Sequence, residues 1–149
     1  MRILAIDDDQ FILELLKEII SHIGDHTLET AESGSEALAI IRDAPAFDCI
    51  LLDFQMPKMN GVEVCRAVRL IDGYDQTPVV MLTAMSEKRY IDAAFLAGAT
   101  DYINKPFEIS DLRVRLGVIS SLVAARRESG MILSPISSGD QASVASTPL

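Results

Sequence analysis

Short apolar runs alternate five times with segments of helical periodicity along this chain of 149 residues. Runs rich in Val, Ile and Leu are typical of strands buried on both faces of a parallel sheet. Their alternation with amphipathic segments predicts an α/β domain in which helices cover both faces of the sheet. Strands are predicted at residues 3–6, 27–31, 47–52, 78–83 and 100–104, and helices at about 11–23, 34–41, 61–71, 86–96 and 109–125.

Capping residues and helix breakers mark the predicted helix ends. Asp9 precedes the first helix as a candidate N-cap, and Ser33 with Glu36 has the capping-box pattern before the second. Ser86 is the predicted cap of the fourth helix, which is closed by Gly98. These signals indicate short connections between strands and helices, as expected for repeated β-α units.

Polar side chains follow four of the predicted strands at the point where each strand ends. Asp7 and Asp8 come after the first strand, and Asp53 ends the third. Thr83 ends the fourth strand, and Lys105 follows the fifth. Open α/β sheets bind ligands at the carboxyl ends of their strands. If strands one, three and four are neighbours, we expect these side chains to converge on one edge of the sheet.

The combination of these side chains indicates phosphoryl-transfer chemistry. Carboxylates within a few ångströms of one another repel and raise one another's pKa values. Mg²⁺ relieves this conflict because it prefers oxygen ligands and accepts carboxylates together with waters and a phosphate oxygen. Lys105 adds a flexible positive charge for a phosphoryl oxygen, and Thr83 adds a hydroxyl donor. The set predicts transfer of a phosphoryl group to Asp53, giving an aspartyl phosphate.

Each of these residues taken alone also has a plain structural interpretation. Acidic residues favour the first turn of a helix, so the three aspartates before the first helix could be a solvated helix start. Asp9 is interpreted in this way. Thr83 alone would be an ordinary strand-end residue, and Lys105 alone a surface lysine. Their ordered combination with Asp53 favours the phosphoryl-transfer site.

Composition and charge exclude several classes of function for this segment. The chain has 22 acidic and 13 basic residues and a formal net charge of −9, which argues against binding nucleic acid through phosphates. No apolar run is long enough to span a bilayer, and the N-terminus lacks a signal peptide. Cys49 and Cys65 lack metal-ligand spacing and are interpreted as buried free thiols, which predicts a cytoplasmic protein.

The composition changes after residue 125. The length of the chain suits one domain with a single core, which we predict at residues 1–125. Residues 126–149 are rich in Ser and also contain Gly, Pro and Thr, a composition typical of linkers and tails. This segment is therefore predicted to be a Ser-rich linker or C-terminal tail.

The ordered motifs resemble the receiver domain of bacterial two-component response regulators. They extend over residues 1 to about 125 and are Asp7-Asp8, Asp53 with Met56-Pro57 and Gly61, Thr83-Ala84, and Lys105-Pro106-Phe107. The resemblance implies a flavodoxin-like α/β fold, a doubly wound parallel sheet of five strands in the order 2-1-3-4-5 with five helices. It also implies that the peptide bond between Lys105 and Pro106 is cis.

The resemblance further implies a two-component phosphorelay. Asp53 would accept a phosphoryl group from a sensor histidine kinase or a phosphotransfer protein. The cofactor would be Mg²⁺, bound by the side chains of Asp8 and Asp53, by the backbone carbonyl of Gln55, and by Asp7 through water.

The resemblance also implies how the phosphoryl group would be recognised and its presence transmitted. Lys105 and Thr83 would contact the phosphoryl oxygens, helped by backbone amides near Phe54 and Ala84. Thr83 would move towards the phosphate, and Tyr102 would turn inward. The face formed by the fourth helix, the fifth strand and the fifth helix would then change its partner preference. The same face is the expected surface for a homodimer.

Three functions are candidates for a chain with these motifs. The first is a signalling switch that catalyses only its own phosphorylation and dephosphorylation. The second is a phosphorylation-independent interaction module, which would be expected if the acidic residues or Lys105 were replaced, and they are not. The third is a phosphatase with an aspartate nucleophile. Such hydrolases usually carry a general acid two residues after the nucleophile, and Gln55 at that position cannot donate a proton in this role.

Overall fold

The computed structural model describes the backbone of residues 1–137 and the side chains of residues 1–129. Five strands alternate with five helices. They are β1 (Arg2–Ile6), α1 (Gln10–Ile20), β2 (Thr27–Ala31), α2 (Gly34–Asp43), β3 (Cys49–Asp53), α3 (Gly61–Arg69), β4 (Val79–Thr83), α4 (Lys88–Leu96), β5 (Asp101–Asn104) and α5 (Ile109–Ser137). The chain divides inside α5 into a first unit, Met1–Val114, which holds the whole sheet, and a second that begins at Arg115.

The strands form one parallel sheet in the order β2-β1-β3-β4-β5, which confirms the predicted fold. Asp53 at the end of β3 pairs with Leu82 of β4, and Thr83 at the end of β4 pairs with Asn104 of β5. Because all five strands run in the same direction, the residues that follow them lie at one edge of the sheet. The register therefore positions the predicted site residues as neighbours.

Side chains of the strands point alternately to the two faces of the sheet. On one face, Leu4 and Ile6 of β1 belong to a buried cluster that includes Leu38 of α2, Val64 of α3 and Ala94 of α4. The buried stripe of α1 is not part of this cluster, and α1 contacts β1 and β2. This stripe consists of Leu13, Leu16, Ile19 and Ile20.

Two of the three predicted helix caps are confirmed. The Asp9 side chain caps α1 by accepting a hydrogen bond from a first-turn amide at 2.9 Å. The Ser33 hydroxyl caps α2 by accepting one from the amide of Glu36 at 3.2 Å, but the predicted capping box is not completed, because the Glu36 carboxylate accepts from the amide of Glu32 instead. The prediction of Ser86 as the cap of α4 is wrong, because the extended backbone continues to Glu87, whose side chain makes no capping hydrogen bond.

Helix α5 is longer than the sequence predicted. Its predicted end was residue 125, but it continues to Ser137. Residues 124–128 are Ala, Arg and Glu, which are strong helix formers and favour continuation. The segment predicted as a linker or tail, residues 126–149, is therefore helical as far as Ser137, and residues 138–149 lie outside the described residues. None of the helices in the described part combines the length and apolar character needed to cross a membrane.

Candidate functional site

Three polar side chains are buried at the carboxyl edge of the sheet. Asp7 follows β1, Asp53 ends β3 and Thr83 ends β4. Their exposed fractions are 1%, 6% and 4%, and they are the buried polar side chains among residues 1–129. Burying a carboxylate costs free energy unless a cation or hydrogen bonds compensate it. The edge of the sheet is therefore a place where a positively charged ligand would be stabilised.

Asp7, Asp8 and Asp53 form a cluster of three carboxylates. Each contributes a carboxylate oxygen, and these oxygens lie within 4.8 Å of one another. Asp7 is held in place by the amide of Asp9, which donates to its Oδ1 at 2.9 Å. Asp8 is exposed, so one side of the cluster is open to water. Because Mg²⁺ binds through one or two carboxylates and keeps several waters, this donor set fits a hydrated magnesium ion.

Lys105 supplies a positive charge to the cluster. Its ammonium Nζ donates to Asp7 Oδ2 at 2.7 Å and to Asp53 Oδ1 at 3.0 Å. Burial lowers the pKa of Lys105, but the hydrogen bonds and charges of the two carboxylates outweigh it and raise the pKa overall. Lys105 therefore stays charged at neutral pH. The bond between Lys105 and Pro106 is cis, as predicted. One ammonium group thus accompanies three carboxylates. The cluster therefore keeps negative charge that Lys105 does not compensate and that a bound cation would compensate.

The surroundings of Asp53 favour its protonated form. Burial is the largest cause and raises the pKa of Asp53 to about 6. The hydrogen bond from Lys105 opposes the rise, and the negative charges of Asp7 and Asp8 add to it. A carboxylate must be ionised to act as a nucleophile, and a nearby cation lowers its pKa. A divalent cation bound to this cluster would therefore increase the ionised fraction of Asp53 near neutral pH.

Thr83 and Tyr102 make contacts away from the carboxylates. The Thr83 hydroxyl oxygen accepts a hydrogen bond from the amide of Met85 at 2.8 Å, and Ala84 between them is exposed. Tyr102 of β5 is half-buried and packs edge-to-face on Phe95 of α4, with ring centroids 6.2 Å apart. The structure thus places Thr83 and Ala84 at the same sheet edge as Asp53, whereas the ring of Tyr102 contacts α4.

The loop after β3 borders an open groove. Gln55 in this loop is exposed. The groove has a volume of about 570 Å³ and is lined by Phe54, Gln55, Met56, Pro57, Asn60 and Met85. One of these lining residues, Phe54, directly follows Asp53 in the chain. Open space therefore lies beside the loop that follows Asp53.

A strained backbone position in this loop was missed by the sequence reasoning. Lys58 has φ of +69°, and the amide of Met59 donates to the carbonyl of Pro57 at 2.7 Å. This hydrogen bond closes a γ-turn, which is strained when its central residue has a positive φ. No sequence signal could have indicated the strain, because lysine does not favour the left-handed region.

Lys58→Gly is expected to raise the free energy of unfolding by about 0.5–1 kcal/mol, because glycine adopts a positive φ without side-chain strain. Lys58→Ala removes the same exposed side chain but keeps the strain, so it should stay within about 0.5 kcal/mol of the wild type. Urea denaturation of the two variants and the wild type measures the difference. Equal stability of the glycine and alanine variants would contradict strain at Lys58.

Comparison with known proteins identifies the family. The family model of the response regulator receiver domain matches residues 3–117. This chain belongs to the response regulator receiver domain family. Response regulator MprA of Mycobacterium leprae is 41% identical over 117 residues, which are 78% of this chain and 49% of that protein. MprA of Mycobacterium ulcerans is 40% identical over 117 residues, 78% of this chain and 48% of the relative. The receiver chain thus spans about half the length of the curated relatives it matches.

Solved receiver structures share the fold. The chemotaxis protein CheY4 of Vibrio cholerae is 35% identical and superposes with a TM-score of 0.75, over 79% of this chain and 97% of that one. The BeF3-activated receiver domain of DrrB is 31% identical, with a TM-score of 0.70, over 80% of this chain and 97% of that one. The chain is therefore a receiver domain of the two-component type, a signalling module.

Proposed function

We propose that this receiver accepts a phosphoryl group on Asp53 from the phosphohistidine of a sensor histidine kinase or a phosphotransfer protein. The observation that carries the proposal is the position of the Lys105 ammonium. It lies 2.7 Å from a carboxylate oxygen of Asp7 and 3.0 Å from one of Asp53, and Asp8 completes the carboxylate cluster. A nucleophilic carboxylate, oxygen ligands for a cation and a fixed positive charge are the groups that phosphoryl transfer requires.

In the proposed step, a carboxylate oxygen of Asp53 attacks phosphorus in line with the phosphorus–nitrogen bond of the donor. The phosphorus–oxygen bond forms as that bond breaks, and the imidazole nitrogen keeps the electron pair. Lys105 would exchange its hydrogen bond to Asp53 for one to a phosphoryl oxygen. Asp8, Asp53 and the carbonyl of Gln55, with Asp7 through water, would hold Mg²⁺, which supplies positive charge for phosphoryl oxygens when bound.

The phosphoryl group would change the contacts of Thr83 and Tyr102. The Thr83 hydroxyl, which now accepts from the amide of Met85, would donate instead to a phosphoryl oxygen, next to the amide of Ala84. Tyr102 would turn inward and alter its contact with Phe95 of α4. The surface at α4 and β5 would then change its preference for a partner, including a second copy of this chain.

The same site would return the phosphoryl group to water, so the receiver would catalyse only its own phosphorylation and dephosphorylation. The exposed Gln55 supports this assignment over a phosphatase, because an amide cannot serve as the general acid for a separate substrate. The buried free thiols of Cys49 and Cys65 support a cytoplasmic location, where thiols stay reduced. Residues 126–149 would serve as a linker or as a C-terminal tail of the receiver.

Asp53→Asn is expected to abolish phosphorylation, because an amide oxygen is a poor nucleophile and carries no charge for Mg²⁺. The full chain is incubated with acetyl phosphate, with Mg²⁺ or with EDTA, and its intact mass is measured. The wild type should gain one phosphoryl group only with Mg²⁺. The matched control is Asp75→Asn at an exposed loop aspartate, which should be labelled like the wild type.

Two results would contradict the proposal. Labelling of Asp53→Asn at the wild-type level would show that another residue is the acceptor. A wild type without any adduct in the presence of Mg²⁺ would favour the phosphorylation-independent interaction module with the same fold.

A further inference from the structure

Helix α4 is anchored more weakly than the three helices before it. Each of α1, α2 and α3 has four buried residues, whereas α4 buries only Ala94. Its N-cap, Glu87, makes no side-chain capping hydrogen bond. Its first turn carries Lys88 and Arg89, whose positive charges are unfavourable at a helix N-terminus. The position of the first turn of α4 therefore depends on few contacts.

One of these contacts is an aromatic pair that joins α4 to the residue after Asp53. Tyr90 in the first turn packs edge-to-face on Phe54, with ring centroids 5.7 Å apart and an interplanar angle of 82°. Phe54 is 8% exposed. Arg89 Nη2 donates to the Tyr90 hydroxyl at 2.9 Å, and its guanidinium carbon lies 4.7 Å from the ring centroid. Edge-to-face packing is directional, so displacement of one ring changes the fit of the other.

The backbone of Phe54 is held tightly beside the site. Phe54 directly follows Asp53, and its amide donates to the carbonyl of Leu82 in β4 at 3.2 Å. Its carbonyl accepts from the amide of Gly61, the first residue of α3, at 2.8 Å. A shift of the backbone at Asp53 would therefore displace Phe54 or strain these two hydrogen bonds.

The other end of α4 is held by separate contacts. Phe95 packs on Tyr102 of β5, and Arg69 of α3 donates through Nε to the carbonyl of Gly98, just after the helix, at 3.1 Å. These contacts hold the C-terminal end of α4 through residues other than Tyr90. The ring pair of Phe54 and Tyr90 is thus a direct side-chain contact through which a change at Asp53 can reach the first turn of α4.

We infer that Phe54 and Tyr90 are positioning residues that transmit the occupancy of Asp53 to the first turn of α4, by a route separate from Thr83 and Tyr102. The inference rests on the proposed function, because it requires a phosphoryl group or its mimic at Asp53. When the site is occupied, Phe54 moves with Asp53, and the ring of Tyr90 follows it. The orientation of α4 then differs between the free and the occupied receiver.

Amide hydrogen exchange of α4 tests the inference on the full chain, with Mg²⁺ alone and with Mg²⁺ and beryllofluoride as the phosphoryl mimic. In the wild type, the mimic should change exchange in the first turn of α4 by about 2- to 10-fold, the range expected for one aromatic pair. Tyr90→Leu keeps an apolar side chain but removes the ring, so this change should fall to less than about 1.5-fold. Tyr90→Phe keeps the ring and should retain the wild-type response.

A purely structural role for Tyr90 gives a different result. Tyr90→Leu would then raise exchange in α4 by the same factor in both states, and the ratio between the free and occupied states would equal that of the wild type. An exchange ratio in Tyr90→Leu equal to that of the wild type overturns the inference. The inference is also overturned if beryllofluoride protects the loop after β3 in the wild type but leaves hydrogen exchange in α4 unchanged. If Tyr90→Leu does not fold, Tyr90→Met replaces it in the same comparison.

Labelling by acetyl phosphate separates failure of the inference from failure of the proposed function. Tyr90→Leu should be labelled to within about twofold of the wild type, since Tyr90 does not touch the carboxylates. Labelling of both proteins with an unchanged exchange ratio refutes the coupling alone. Absence of labelling and of a beryllofluoride response in the wild type refutes the proposed function, and the inference with it.

Discussion

Gly61→Ala should lower the free energy of unfolding by about 2–4 kcal/mol. A Cβ atom at Gly61 would lie 2.5 Å from the carbonyl oxygen of Asp53 and 2.9 Å from Cα of Phe54. Both neighbours are backbone atoms at the end of the central strand, so they cannot move aside as a flexible side chain would. The strand end or the start of α3 must shift instead, and the hydrogen bond from Gly61 to Phe54 is strained.

Thermal unfolding in EDTA measures this effect, and the expected loss corresponds to a Tm lower by about 4–16 °C. The matched control is Gly117→Ala in α5, where the added Cβ would meet no described atom within 4 Å beyond its chain neighbours and the backbone of its own helix. Alanine is a better helix former than glycine, so the control should be neutral or more stable by up to about 1 kcal/mol. Equal Tm values for the two alanine variants would show that a Cβ atom at Gly61 does not clash with the backbone of Asp53 and Phe54.

Lys105→Met should lower the free energy of unfolding by about 2–3 kcal/mol at pH 7.5 without Mg²⁺, because it leaves buried carboxylates without their cation. Methionine keeps the apolar stem of the side chain, so the loss reports mainly the charge. The ammonium now donates to Asp7 and Asp53, and only 19% of the Lys105 side chain is exposed. Saturating Mg²⁺ should restore part of the stability by supplying the missing positive charge.

The loss in Lys105→Met should depend on pH. The pKa of Asp53 is about 6 in the folded wild type, above the ordinary value of about 4 for an unfolded aspartate. The folded state thus binds more protons between these values, so the wild type loses stability as pH rises from about 4 to 6. The hydrogen bond from Lys105 lowers the pKa of Asp53, so this pKa is higher in Lys105→Met. The loss of stability with rising pH therefore continues to a higher pH in the variant. The difference in the free energy of unfolding between Lys105→Met and the wild type should be small near pH 4.5 and largest above pH 7.

Urea denaturation from pH 4.5 to 8.5 in EDTA measures both profiles. Lys88→Met is the matched control, because Lys88 pairs with Asp92 at the surface and 88% of its side chain is exposed. Exposed pairs contribute about 0–1 kcal/mol, so this variant should remain close to the wild type at every pH. A loss in Lys105→Met that is the same at pH 4.5 and pH 8 would contradict the electrostatic explanation.

The secondary structure and the candidate residues followed from local sequence signals. The apolar run that ends at Asp53 predicted a buried strand with a carboxylate at its end, because strand burial and strand ends are marked in the chain itself. Ser33 and Asp9 were recognised as caps for the same reason. The prediction of Ser86 as a cap failed because the backbone is still extended at Glu87 and α4 begins only at Lys88. The residue at which a helix begins depends on packing as well as on local capping signals. The strand order came from the resemblance of the motifs to a known family.

The sequence by itself determined the number and order of strands and helices, and which carboxylates and which lysine follow the strands. Only the tertiary structure decided that the Lys105 ammonium lies between Asp7, 98 residues away, and Asp53, because the order and register of the strands set that distance. Burial and neighbouring charges, which raise the pKa of Asp53, also exist only once the sheet is assembled. The strained turn at Lys58 and the ring contact between Phe54 and Tyr90 likewise arise from packing, for which no local pattern codes.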